Sequence, residues 1–281
     1  MLITQKKELE ILACEIRKQA IKSMACAGRG HVGGAMSMAD TLAVLYGKQM
    51  RFDPENPKWE DRDRFVLSKG HAGPALYAIL AIKGFFPMEY LETLNKGGTP
   101  IPSHPDRNKT PGVDFSSGSL GNGLSVAAGN ALGARVFGKD YYTYCMVGDG
   151  ECDEGEIWEA FLFAAHHKIG NLIAFIDKNN QQIDGYTPEV CNLDNLGKKL
   201  EYFNWHVQQI DGHDVEAIDD AIEKAKAEKQ RPSVIILDTV KGKGCKVAED
   251  AGMCHHLPLN AEVCAAEWAL LDAKIEQIRN S

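Results

Sequence analysis

The stretch VGDGECDEGEIWEA, residues 147 to 160, follows the apolar run YYTYCM and sets Gly148, Asp149 and Gly150 where a strand should end. After 28 further residues, 151 to 178, the pair Asn179-Asn180 follows a second apolar run, NLIAFID. Ligands of parallel α/β sheets gather at the carboxyl ends of strands, and a right-handed crossover would set these two turns side by side. One carboxylate from Asp149, one amide oxygen from Asn179 and a backbone carbonyl would leave an octahedral Mg²⁺ with positions for two phosphate oxygens and a water. Gly148 and Gly150 would let the backbone come close to the ligand, and a helix starting near Glu154 would turn its positive end towards the phosphates. The chemistry expected is that of a diphosphate clamp. Taken alone, Gly-Asp-Gly reads equally well as a tight turn with an aspartate helix cap.

The rest of the chain must position that clamp. Its 281 residues are 44% apolar, enough for a well-filled core. A formal net charge of -8 with no offsetting run of lysines argues against a nucleic-acid surface, so a phosphate ligand needs a local device. The eight cysteines have neither CxxC nor zinc-like spacing, and no apolar stretch reaches the length of a membrane span. The N-terminus has no signal-peptide core, which gives a cytoplasmic protein as the expectation.

Leu9, Leu12, Ile16, Ala20 and Met24 recur at helical spacing and predict a helix from Thr4 to Ala27. A second is expected from Ser37 to Lys48 with Ser37 as N-cap. The runs RFVLS, YYTYCMV, NLIAFID, WHVQQI and SVIILD alternate with helical patterns, among them the small-residue helix GLSVAAGNALGARVF. This order predicts a three-layer α/β/α fold with a mainly parallel central sheet, as one domain over 1–281 with a tail helix from about Asn260. Two glycine patterns are decoys. GARVFGKD at 133 to 140 precedes a strand and has Asp140 where a phosphate loop needs Ser or Thr, and GNGLSV lacks a third glycine.

The pairing of GDG with NN resembles the thiamine diphosphate motif, with Gln181 in the place of the residue that gives the backbone carbonyl. Further segments extend the resemblance over nearly the whole chain, towards the N-terminal, diphosphate-binding half of transketolase. They are GRGHVGGAMSMAD with His31, RDRFVLSKGHAGPALY with His71, TPIPSHPD with His104, SSGSLGNGLSVAAG, IDGHD, and TVKGKG followed by HHLPL with His255. Val32, Ser119 and Asn122 stand where proline, proline and glutamine are usual.

The resemblance implies a thiamine diphosphate-binding fold of the PP type. His71 and His255 would contact the diphosphate; His31, His104 and His255 would line the channel to the reactive carbon and act in catalysis. Gly118 would offer its carbonyl to the aminopyrimidine, with Leu120 beneath the cofactor. Gly148, Gly150, Glu151 and Asn179 complete the cofactor contacts, and Asp149, Asn179 and Gln181 would hold Mg²⁺, with Ca²⁺ or Mn²⁺ as alternatives. Glu154 matches a glutamate that links active sites across the dimer, though a first-turn acid favoured by the helix dipole explains it nearly as well. His166, His167, His206, His213 and His256 are taken as solvated or structural.

The family's activating glutamate and aromatic cleft come from a second domain, and none is found in these residues. The expectation is therefore the N-terminal subunit of a split transketolase, joined by a C-terminal subunit carrying the Pyr domain. Together they would move a two-carbon ketol unit from a ketose phosphate to an aldose phosphate in pentose phosphate metabolism, as a heterotetramer. The rivals are the alpha subunit of a 2-oxoacid dehydrogenase, a deoxyxylulose phosphate synthase-like enzyme, and a non-enzymatic cofactor-binding protein. The histidine array speaks against the first and the last.

Overall fold

The computed structural model describes residues 1–281. Its first half contains α1 (Ile3–Cys26), β1 (Arg29–Gly30), α2 (Val32–Ser37), α3 (Ala39–Val44), β2 (Arg64–Leu67), α4 (Gly73–Ile82) and α5 (Asn122–Val136). Next come β3 (Thr143–Gly148), α6 (Gly155–His166), β4 (Leu172–Lys178), β5 (Gln181–Gln182), β6 (Gly185–Tyr186), α7 (Thr187–Val190) and α8 (Leu196–Tyr202). The remainder is β7 (His206–Asp211), α9 (Val215–Ala227), β8 (Ser233–Asp238), α10 (Lys246–Asp250), β9 (Leu257–Pro258) and α11 (Ala261–Asn280).

The five apolar runs form one sheet in the order β2-β3-β4-β8-β7, with every neighbouring pair parallel. Side chains alternate between two cores. Tyr144 and Met146 of β3, with Ile173 and Phe175 of β4, pack into the larger core beneath α1, α3, α4, α9 and α11. Cys145 and Val147, with Ala174 and Ile176, pack into the smaller one beneath α5, α6 and α8. Because both faces are covered, these strands read as continuous apolar runs. Three layers result, as expected. No helix is long and apolar enough to cross a membrane.

The predicted second helix is corrected. Instead of one helix from Ser37 to Lys48, α2 ends at Ser37, α3 begins at Ala39, and a π-helical turn covers Leu45–Gln49. Ser37 is not an N-cap: its hydroxyl donates to the Gly34 carbonyl and, at 2.7 Å, to Asp177 Oδ2. At the other end Asn260 does cap α11, accepting from the Val263 amide at 2.8 Å.

Two small ladders shape the sheet's carboxyl edge. β1 pairs with β9 in antiparallel fashion, Gly30 opposite Leu257, which brings His31 to the segment holding His255. β5 and β6 form a hairpin directly after Asn179-Asn180.

Candidate active site

The β3–β4 register sets Gly148 opposite Asp177, and the Asp149 amide donates to the Asp177 carbonyl at 3.1 Å, so the two predicted turns are adjacent. They open into a cavity of about 270 Å³ at the carboxyl edge of the sheet. His31, His71, His104, Gly118, Leu120, Gly148, Asp149, Gly150, Glu151, Asn179, Gln181 and His255 line it. Of the predicted site residues only Glu154 lies outside; it is exposed at the N-terminal cap of α6, without a side-chain capping bond.

Asp149 is 4% exposed. Its Oδ1 accepts from the Gly150 amide at 2.9 Å and its Oδ2 from the Asn180 amide at 2.6 Å. Burial and the nearby Asp177 carboxylate push its pKa up to about 6, against those bonds and Lys241. An ionised carboxylate held in this way favours a cation in front of it.

Behind it lies Asp177, fully buried. Burial alone would raise its pKa, but Lys69 Nζ at 2.6 Å and bonds from Thr239 and Ser37 hold it below the ordinary range. Asn179 Nδ2 also donates to Asp177 Oδ2, at 2.8 Å, and Asn179 Oδ1 accepts from the Gln181 amide at 3.1 Å, which leaves that oxygen one further lone pair for a cation. Asp177 thereby fixes which way the candidate ligand amide faces.

The oxygens of Asp149, Asn179 and the Gln181 carbonyl form a hard donor set suited to a hard cation. The Gln181 carbonyl already faces a positive charge, accepting from Lys241 Nζ at 2.7 Å. No group of three His, Cys, Asp or Glu side chains could hold a metal unaided. A metal bound here would thus share its coordination with an amide, a carbonyl and the ligand's own oxygens.

Four histidines converge across the cavity. His31 has its ring centre 5.6 Å from His71, 6.0 Å from His104 and 5.4 Å from His255, and His71 lies 4.8 Å from His255. Burial, with neighbouring imidazoles and Lys241, lowers His31 to about 4 and brings His255 down to about 3. Burial lowers His104 as well, and burial with Lys69 holds His71 well below its ordinary value. All four are neutral near pH 7. Lys241 Nζ stands 3.2 Å from His255 Nδ1, so Nδ1 accepts and the proton sits on Nε2. His256, read as solvated or structural, is exposed yet lies 4.8 Å from His31 and so borders the cluster.

Two other cavity residues also make close contacts within the protein. Glu151 lines the cavity, but its carboxylate is engaged by the Ser68 hydroxyl and by the Gly121 and Gly148 amides at 2.9 and 3.0 Å. It ties three loops together, and burial raises its pKa. A Cβ on Gly150 would meet Gln182 Oε1 at 2.8 Å, so the close approach there is to the protein's own hairpin. Gly118, by contrast, has φ +148°, and a Cβ there would reach the His104 ring at 3.6 Å.

Sequence reasoning misses Lys69, Lys241 and Asp177 as site residues. Lys69 sits inside the LSKGH match, and Lys241 inside a KGKG turn notable only for its place after a strand. Asp177 reads as the last residue of an apolar run.

The family model "Transketolase, thiamine diphosphate binding domain" matches residues 9–273. The chain belongs to this family. Among curated relatives of this transketolase domain, the "6-deoxy-6-sulfo-D-fructose transketolase subunit SqwG" of Clostridium sp. (strain MSTE9) is 48% identical, over 95% of this chain and 98% of the relative. An apulose-4-phosphate transketolase subunit of Phocaeicola vulgatus is 38% identical, over 98% of this chain and 97% of the relative. A transketolase from Pichia stipitis, solved with sedoheptulose 7-phosphate, superposes with a TM-score of 0.87 at 32% identity. That match covers 97% of this chain and 44% of the yeast one. This transketolase domain therefore corresponds to the N-terminal subunit of those transketolases that are divided into two chains.

Proposed function

We propose that the cavity binds thiamine diphosphate with Mg²⁺, and that the chain, a single domain over 1–281, works in a two-chain transketolase. The observation that carries this reading is the convergence of Asp149, Asn179 and the Gln181 carbonyl with four neutral histidines in one cavity. Asp149, Asn179 and Gln181 hold the metal; His71, His255 and Lys241 face the diphosphate, whose charge the acidic chain would otherwise repel. When bound, the cofactor supplies the carbon nucleophile and the electron sink for carbon–carbon cleavage. His31 and His104 each present one donor and one acceptor to sugar hydroxyls, and can take a proton from one oxygen and return it to another, while His255, its Nδ1 engaged by Lys241, offers Nε2–H as a donor. Leu120 and the Gly118 carbonyl offer an apolar ledge and an acceptor to the aminopyrimidine.

The substrate class is a ketose with an anionic terminus, phosphate or sulfonate, as the names of the two relatives suggest, with an aldose phosphate as acceptor. A C-terminal partner would carry the Pyr domain, in a heterotetramer, with Glu154 facing the second active site. Cys26 and Cys191 are exposed free thiols, which suits the reducing cytoplasm. The test is calorimetric titration of the assembled enzyme with thiamine diphosphate, with and without Mg²⁺ and chelator. Binding should need the metal and vanish in folded Asp149→Ala and Asn179→Ala variants. Unchanged affinity in either would sink the clamp.

A further inference from the structure

The loop bearing Lys241 is pinned from behind by side chains that do not enter the cavity. Val240 donates its amide to His213 Nε2 at 2.9 Å, and the Lys243 carbonyl accepts from Arg17 Nε at 2.8 Å. These bonds flank Lys241 on both sides. His213 and Arg17 meet on one carboxylate: His213 Nδ1 lies 2.8 Å from Asp40 Oδ2, and the Arg17 guanidinium binds both Asp40 oxygens. Because Nε2 accepts from an amide, Nδ1 must carry the proton and donate to Asp40, so the imidazole has one orientation and one tautomer. Arg17 and Asp40 are 5% and 6% exposed.

Backbone bonds also hold the loop, Thr239 to Lys178 and Lys243 to Val240, but the bonds from His213 and Arg17 are the side-chain ones on Val240 and Lys243, which flank Lys241. Gly242 and Gly244 have φ +86° and +79°, and a Cβ on Gly244 would strike Arg17 Cδ at 2.8 Å. The Gly242 amide donates to the Gly33 carbonyl, and the Gly33 amide to that of Cys254, so the same loop also seats the segments bearing His31 and His255.

We propose that Arg17, Asp40 and His213 are positioning residues that hold Lys241 against the cofactor site, so that the IDGHD histidine acts on cofactor affinity without touching the cofactor. This rests on the function proposed above. A cavity of about 260 Å³, bordered by Arg17, Asp40 and His213, adjoins the network from the side of α1 and α11 and gives a small molecule room to approach.

The test uses the assembled two-chain enzyme and magnesium thiamine diphosphate as probe, in a double-mutant cycle of His213→Ala with Lys241→Ala. His213→Ala should weaken binding roughly tenfold, the scale of one lost buried hydrogen bond. In the Lys241→Ala background the same substitution should add almost nothing. Amide exchange over 239–244 should speed up in His213→Ala while β3, β4 and β8 stay protected. Imidazole should restore affinity to His213→Gly. Should His213→Ala fail to fold, His213→Gln, which keeps a donor and an acceptor, should fall between parent and loss. A parent enzyme that binds no cofactor overturns the proposed function, and this inference with it. A parent that binds normally beside a His213 variant of equal affinity, or a fully additive cycle, overturns the positioning role alone.

Discussion

At the scale of single residues, the site is defined by charges that the fold suppresses. His31 and His104 face the cavity as neutral imidazoles, and in the proposed function they serve the sugar and not the metal or the diphosphate. His31→Ala and His104→Ala should therefore bind cofactor almost normally yet lower ketol transfer by roughly 10² to 10⁴, the range for a positioned acid or base; steady-state rates of the assembled enzyme give the check. The same suppression predicts a pH dependence of stability. With folded values of about 4 for His31 and about 3 for His255, the native chain binds fewer protons than the unfolded chain once pH drops below the ordinary histidine value of 6.5. The stabilisation is full above that value and is lost as pH falls towards 4. The charges that bear on these rings are Lys241 for both and Lys69 for His255. Asp149 works in the opposite sense, since it takes up a proton near 6 in the fold, but the lowered histidines outnumber it. Thermal unfolding of the cofactor-free protein should show a falling Tm from pH 7 to 5, and a shallower fall in a His31→Gln, His255→Gln variant.

At the scale of elements, what was legible followed from period and burial. Four of the five strands are apolar on both faces because each contributes to two cores, the edge strand β7 being only partly buried, and such runs between helical patterns announce a parallel sheet. The break between α2 and α3 was hidden, because every residue from Val32 to Val44 is buried and no polar face marks the period. Ser37 looks like a cap by type, whereas its hydroxyl serves Asp177 from a distant stretch of chain. The β1–β9 and β5–β6 ladders are two residues long and carry no alternation to read. Asp177 shows the same limit for the site, since nothing local distinguishes a terminal strand acid from the hub of four hydrogen-bonding partners. Removing its counter-ion by Lys69→Met would leave a buried carboxylate without its cation and should cost about 3–5 kcal/mol. Urea unfolding would measure it, and a loss below about 1 kcal/mol would show that the neutral donors suffice.

For the whole molecule, α5 and α6 form an uncovered face. Phe137 is 77% exposed and Leu162 56%, with Val136 and Phe163 beside them in sequence, and Gly129 and Gly133 have open space above them. Such a face normally marks an interface. The chain alone should self-associate in sedimentation and show no ketol transfer, and should gain turnover with a C-terminal partner through a contact of at least about 1,200 Å². Robust turnover by the lone chain would refute the two-chain reading. The β1–β9 ladder has a consequence of another kind, for the order of events during synthesis. It joins residues 29–30 to 257–258, and the pocket draws on His31, His71, His104, Asp149, Asn179 and His255 in turn. All five strands of the sheet precede His255 along the chain, so a growing chain completes the pocket only once the segment that pairs with β1 has been made, and cofactor capture comes late in its biogenesis.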